Sequence, residues 1–369
     1  MPLEYIISRK VGNQIMKRNS TLLRLITLIL AIAAVFSFSA CTQKLPENSD
    51  EGKQNENNDN DTTIDTNLQV NVTVLSGTTG FSMAPLMQSH ADGNAKLNYN
   101  FKVEADASNV NAALINGTVD IAALPTNAAS VVYNKTGGAV QILAINTLGV
   151  LYLLDNGNNI TSFDDLRGKT VAAPAQNPTF IFKYLCEQNG LTVGNVGDEG
   201  VDVIIDSSYT TPAELQANVA AGNVTLAVLP EPLVTIVKSA NADVKVAMDL
   251  TAEWNQVAPE NSLVQGCIVV RKAFAEQHPA EVAAFLEEYE ASVKFLMENV
   301  AEASEMVAAQ GVFAKAAVAA KAIPNCNICY LVGEEMKVSM STFLGIMMGV
   351  QASSVGGKLP EDDFYYIVK

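Results

Sequence analysis

The stretch "GTVDIAALPTNAASVV", Gly117 to Val132, returns as "GNVTLAVLPEPLVTIV", Gly222 to Val237, at a constant offset of 105 residues with no gap. Glycine, valine, alanine, leucine, proline and the closing valine coincide. Each copy reads as a buried strand, a proline corner and a helix start. A chain that carries this unit twice is expected to fold as two lobes of like construction. One difference is built into the repeat: Glu231 stands where the first copy has Thr126.

The surrounding pattern agrees. "LQVNVTVLSG" is an alternating strand entering a Gly-Thr-Thr-Gly turn, and "FSMAPLMQSH" opens a helix. "LNYNFKVEA", "SNVNAALING" and "VDIAALP" continue as strand, helix and strand, and "AVQILAINTLGVLYLLDN" adds further apolar strand. The cycle restarts with "KTVAAPAQNP", "TFIFKYLCEQNG", "VDVIID", "TPAELQANVAAG" and "LAVLP". Such alternation predicts an α/β fold of two lobes, each a mainly parallel sheet flanked by helices. The chain then returns through "SLVQGCIVVRKAF" and ends in helices. There Val282, Phe285, Leu286, Tyr289, Val293 and Leu296 recur at helical spacing behind Pro279. Lobe one is placed at 68–155 plus 262–369 and lobe two at 156–261. Crossover segments near Leu148–Asn156 and Ser262–Val270 serve as hinges.

The one long apolar run lies near the N-terminus. Lys17, Arg18 and Arg24 precede the apolar segment Leu25–Phe36, and Phe38-Ser39-Ala40-Cys41 follows. That order is the one of a secretory signal, and its Ser-Ala-Cys end resembles a bacterial lipobox, with Phe38 where leucine is usual. Residues 1–40 are therefore read as signal peptide, with Met16 the expected start, and Cys41 as the lipidated first residue of the mature chain. Residues 41–67 are polar and acidic and read as a disordered tether. Removing 1–40 takes five basic and one acidic side chain from totals of 23 and 39, which leaves a net charge of −20. Such a surface repels nucleic acid and anionic lipid, so neither is an expected partner. The protein is expected to be extracytoplasmic, held on the outer face of the cytoplasmic membrane by its lipid or periplasmic, and monomeric.

Taken as a set, "GTVDIAALPTNAAS", "DDLRGKTVAAP", "LAVLPEP" and "VVRKAFAEQHPAEVAAFLEEY" resemble the solute-binding proteins of bacterial ABC importers. The nearest branch is the one that binds nitrate, taurine, alkanesulfonates and the thiamine pyrimidine precursor. The resemblance runs from Leu68 to the C-terminus. It implies a type 2 periplasmic-binding-protein fold, two lobes joined by two crossovers and closing on a small molecule. It also implies delivery to permease subunits driven by a cytoplasmic ATPase.

In open α/β sheets ligands sit beyond the carboxyl ends of the strands, where helices begin. Four turns meet that description: Gly77-Thr78-Thr79-Gly80-Phe81, Pro125-Thr126-Asn127, the turn from Gln176 and Asn177 to Thr179 and Phe180, and Pro230-Glu231-Pro232. Asn146 and Thr147, before the first crossover, join the expected ligand-binding set. Helix starts offer free N–H groups and favour anions. The mature chain has only Arg167 and Arg271 as arginines, and neither is an evident anion clamp. Glu231 argues instead for a basic or amino-bearing group on the ligand, with capping of its own helix as the rival role. Phe81, Phe180 and Trp254, the last placed at the cleft rim, are candidate stacking surfaces, with core packing as the alternative.

An enzyme on the same fold, acting on a pyrimidine or related small molecule, is the second reading. It needs a histidine at the cleft, and His90 and His278 both fall outside the four turns. Asp164-Asp165 and Asp362-Asp363 read as solvated surface turns. Cys326 and Cys329 form a lone C-x-x-C without a second pair or nearby histidines, so no metal is expected; a buried thiol pair and a short disulfide both remain open. No catalytic residue and no cofactor is expected.

Overall fold

The computed structural model describes residues 63–175, 177–209 and 211–367. The signal segment 1–40, Cys41, most of the 41–67 tether and Gln176 lie outside the described residues. The chain lays β1 (Gln69–Leu75), β2 (Asn98–Glu104), β3 (Ile121–Pro125) and β4 (Val140–Thr147) into a first sheet. It then builds a second sheet from β5 (Leu151–Asp155), β6 (Lys169–Ala172), β7 (Val193–Asn195), β8 (Val203–Asp206), β9 (Leu226–Pro230) and β10 (Lys245–Asp249). Finally β11 (Gly266–Arg271) and β12 (Ile328–Leu331) return to the first.

The strand orders are β12-β4-β11-β3-β1-β2 and β10-β5-β9-β6-β8-β7. The two repeated strands occupy matching places. β3 lies between parallel β1 and antiparallel β11, and β9 lies between parallel β6 and antiparallel β5. In each sheet, therefore, the antiparallel neighbour is the strand that has just crossed from the other sheet.

The apolar run expected to stay in the first lobe as far as Asp155 divides between the sheets. β4 ends at Thr147, and β5 pairs with β9 and β10. The crossing is the short stretch 148–150, and Gly149 explains its tightness. A Cβ there would lie 2.2 Å from the Thr251 hydroxyl oxygen and 2.6 Å from a Leu263 methyl, so only glycine lets the two crossovers pass so closely.

Period-two alternation distributes the strands' side chains between core layers. Ile121 and Ala123 of β3 pack with Val70, Val72 and Val74 against the helix Pro279–Glu298, while Ala122 and Leu124 face the opposite layer. Ala227 and Leu229 of β9 join a third cluster with Leu215 and Val234, while Leu226 and Val228 enter the layer that holds Leu124. That shared layer takes one face of both sheets and is continued by rings. Tyr184 of the helix Asn177–Gln188 lies 4.9 Å from Trp254, which lies 6.0 Å from Phe343 of the helix Gly333–Val350. Burying each such leucine or valine is worth about 1.5–3 kcal/mol.

Helix boundaries follow local chemistry. The helix Thr126–Thr136 stops at Gly137, whose left-handed φ of 67° supplies the terminating turn. The periodic C-terminal stretch breaks at Asn299 into Pro279–Glu298 and Val300–Ala309, because Asn299 leaves helical backbone. Among the described residues no helix is long and apolar enough to cross a membrane.

Candidate functional site

Each of the four turns stands at the carboxyl end of a sheet strand, and they meet in two pairs. After β1, Gly77 turns the chain with φ 90°, and Thr78 opens the short helix Thr78–Phe81. The Thr78 hydroxyl donates to the Glu231 carbonyl at 2.7 Å, a buried bond from the first sheet's turn to the second's. After β6, Asn177 opens the helix Asn177–Gln188, and its Nδ2 donates to Asn127 Oδ1 at 2.8 Å. Asn127 lies on the first turn of the helix after β3. Thr78 thus meets Glu231, and Asn127 meets Asn177.

The repeated corners are anchored alike. Thr126 is fully buried; its hydroxyl donates to the Val264 carbonyl at 2.7 Å and its N–H to Gln265. Glu231 donates its N–H to the Val150 carbonyl. Each corner is therefore bonded to the crossover that feeds its neighbouring strand. The crossovers are joined to one another as well: Val150 N–H donates to Gln265 Oε1 at 2.7 Å. Asn327 receives the Leu148 N–H on its carbonyl and donates Nδ2 to the Gly149 carbonyl. Tyr152 OH donates to the Asn325 carbonyl at 2.8 Å.

Asn146 and Thr147, both buried, brace the first turn. Asn146 Nδ2 donates to the Thr79 carbonyl at 2.8 Å and to Tyr289 OH, and its Oδ1 accepts from the Thr147 hydroxyl. Thr179 closes its own loop by donating to the Pro174 carbonyl. Gly80 sits against the Leu75 carbonyl and Pro125 ends β3.

The carboxylate of Glu231 is buried, and Thr235 satisfies it. Oε2 accepts the Thr235 N–H and Oε1 the Thr235 hydroxyl, each at 3.0 Å. Standing two residues before the helix Leu233–Ala240, the acid satisfies the Thr235 N–H of that helix's first turn. Burial raises its pKa, and the two Thr235 bonds and the Lys238 charge oppose that rise.

The aromatic candidates divide. Phe81 is fully buried, edge-on to Phe313 at 5.9 Å, and Phe180 is half-buried against the layer shared by the two sheets. Trp254 is fully buried and donates Nε1 to the Ser262 hydroxyl at 2.8 Å. It stands in the core rather than at the rim, because its ring fills the space between Tyr184 and Phe343.

Both arginines are engaged away from these turns. Arg271 pairs with Asp120 at 2.6 Å, and Arg167 with Asp164 and Asp202. His90 packs edge-on to Tyr99 and Phe101, and His278 lies against Phe274 beside Glu281. Cys326 and Cys329 are free thiols, donating to the Ala322 and Ile145 carbonyls. Burial pushes the Cys329 thiol up to about 12, which keeps it protonated and a weak nucleophile at neutral pH. Among the described residues no group of three or more His, Cys, Asp or Glu is placed to hold a metal ion. The arrangement offers hydrogen bonds and helix starts.

Sequence reasoning missed Tyr152, Gln265, Asn325, Asn327 and Ser354. They are far from the four turns in the chain and belong to no turn motif. Ser354 in the helical turn Ala352–Val355 accepts Asn127 Nδ2 on its carbonyl at 3.4 Å, a contact no local pattern announces.

The sequence matches the family described as menaquinone biosynthesis over residues 81–346. No curated protein matches it. The fold is similar to that of a protein described as an ABC transporter from Parabacteroides distasonis, at 23% identity and a TM-score of 0.67, covering 83% of this chain and 100% of the other. It is also similar to the periplasmic aliphatic sulphonate binding protein SsuA from Escherichia coli, at 15% identity and a TM-score of 0.63, with 80% and 90% of the two chains covered. The ligand-binding component of an ABC-type import system from Staphylococcus aureus, solved with zinc bound, matches at 15% identity and a TM-score of 0.59, with 81% and 96% covered. At these identities the likeness is one of fold, the type 2 periplasmic-binding-protein architecture.

Proposed function

The chain belongs to the menaquinone-biosynthesis family, and we propose that it is an extracytoplasmic solute-binding lipoprotein that holds a small organic molecule between its lobes and hands it to an ABC importer. One observation carries the reading: four strand-to-helix turns from two sheets meet pairwise, Thr78 on Glu231 and Asn127 on Asn177. A ligand placed there touches both lobes and favours their closed arrangement by the contacts it makes only in that state. The permease then reads the closed shape. The hinges are the crossovers at 148–150 and 259–265, and the lipid on Cys41 keeps the protein at the membrane. The likeness to transporter-associated binding proteins supports this reading.

The test begins with native mass spectrometry of the purified protein, which is expected to reveal a bound endogenous small molecule. Asn127→Ala and Asn177→Ala, one from each lobe, should each weaken its binding by about tenfold. Affinity unchanged by both substitutions would sink the two-sided site. A Cys41→Ala chain should appear in the soluble fraction.

A second reading, an enzyme acting on a pyrimidine or related small molecule, draws on the biosynthetic description of the family. It predicts that the molecule recovered after incubation differs in mass from the one supplied. A binder returns it unchanged.

A further inference from the structure

Away from the four turns, the first lobe carries a cavity of about 420 Å³ formed by three helices, Ala84–Ala91, Pro279–Glu298 and Val300–Ala309. Its body is apolar, made by Pro85, Leu86, Ala291, Phe295 and Met306. On the long helix the wall is short. Ala291 has only a methyl group, and the next residue, Ser292, turns its hydroxyl onto backbone: Oγ donates to the Ser82 carbonyl and accepts the Leu86 N–H. The charged lining residues are Asp92 and Glu288, both acids. Glu288 is held in place by the Lys96 N–H on Oε1 and the Tyr99 hydroxyl on Oε2. Asp92 is exposed at the C-terminus of Ala84–Ala91, where it accepts Gln88 Nε2 at 3.0 Å. Gln88 Oε1 accepts Gln310 Nε2 at 2.9 Å and so ties the first helix to the end of the third. The Lys96 ammonium pairs with Glu287, and neither residue lines the cavity.

We propose that this cavity is a second ligand site, which takes a small amine with an apolar body: the body against Leu86, Phe295 and Met306, the ammonium beside Asp92 and Glu288. Its volume lies in the range of small-molecule sites, about 300–1,000 Å³, and an apolar lining with a few polar groups is their usual make-up. Charge decides the class. A carboxylate would meet two acids and the negative end of a helix dipole, whereas an ammonium is attracted by all three. The lining itself holds no cation that would compete for those acids. Phe295 and Met306 favour a ring in the body, through aromatic and sulfur contacts. None of the lining residues belongs to the four turns, so the site goes beyond the solute-binding reading and stands apart from it.

The probes are tryptamine, tryptophol and indole-3-propionate, which share a ring system and differ in the charge of the head, titrated calorimetrically into the full chain. Tryptamine should bind with a Kd of about 1 mM or tighter, about tenfold better than tryptophol, and the acid should bind weakest. Asp92→Asn and Glu288→Gln should each weaken tryptamine by about threefold and leave tryptophol unchanged. Ala291→Phe, which fills the cavity, should abolish binding of both. Asn127→Ala should leave tryptamine binding as it is, so that failure of the cleft and failure of this site read out separately. Asp92 is exposed, so Asp92→Asn keeps the test sound if the cavity-filling variant does not fold. Tryptamine that fails to bind, or that binds Ala291→Phe as well as the native chain, would overturn the site. An acid that binds as tightly as the amine would overturn the ligand class.

Discussion

The two repeated corners share a backbone and differ in wiring. β3 and β9 bury their residues in the same order, four buried and the proline half-buried. Both lie between a parallel strand and a strand freshly crossed from the other sheet. Beyond the proline they part. Thr126 spends its hydroxyl on a crossover carbonyl, and its helix begins at once. Glu231 turns its carboxylate inward onto Thr235 and lends its carbonyl to Thr78 in the other lobe. A duplicated strand therefore fixes where a corner sits, while the residue after the proline decides what the corner holds.

Three pairs of substitutions test how far the likeness goes. The largest effect is expected in the strands: Leu124→Ala and Leu229→Ala, both fully buried, should each cost about 2–5 kcal/mol in urea unfolding. Costs differing by more than that range would break the equivalence. Next come the strand entries. Asp120 holds Arg271 and two Asn71 donors, whereas Thr225, at the matching position, is exposed and uses only its backbone carbonyl. Asp120→Ala should cost about 1–3 kcal/mol and Thr225→Ala less than about 0.5 kcal/mol.

The smallest effect is the pH dependence. Burial raises the Glu231 pKa in the folded chain above its ordinary 4.5. In the window between those values the folded state binds more protons than the unfolded one, so stability falls as pH rises through it. Glu231→Gln should flatten that part of the stability curve, and Thr126→Val should leave it unchanged. A slope untouched by Glu231→Gln would show that Thr235 fully offsets the burial.

How much of this was legible beforehand follows from the range of each signal. Most strands and helices from Gln69 to Pro230 were readable because alternation, turn residues and caps act over a few neighbours, while the three-residue β7 was not read. The double architecture was readable because it is written twice. The point within Leu148–Asn156 at which the chain changes sheets was not legible, because Val140–Asn156 is apolar nearly throughout, and hydrophobicity marks burial without marking which sheet a strand joins. β12 escaped because its four residues carry no alternation, and only pairing with β4 makes them a strand. The four turns follow from a topological rule about strand ends. Ser354 and Asn325 act through backbone carbonyls, and a carbonyl leaves no trace in residue identity. Trp254 lay too far from any turn for its depth to be judged from neighbours.

The strand orders also set a timetable for synthesis. In the second sheet β5 comes first, and the strands on either side, β9 and β10, are added around it as they emerge. The first sheet must instead take β11 between β3 and β4, two strands made long before. Until Gly266–Arg271 arrives, both hold open edges toward the same gap, and open edges invite wrong partners. The half that begins the chain is thus the last to be sealed, and a nascent molecule stalled short of residue 266 carries one finished lobe and one with its middle missing.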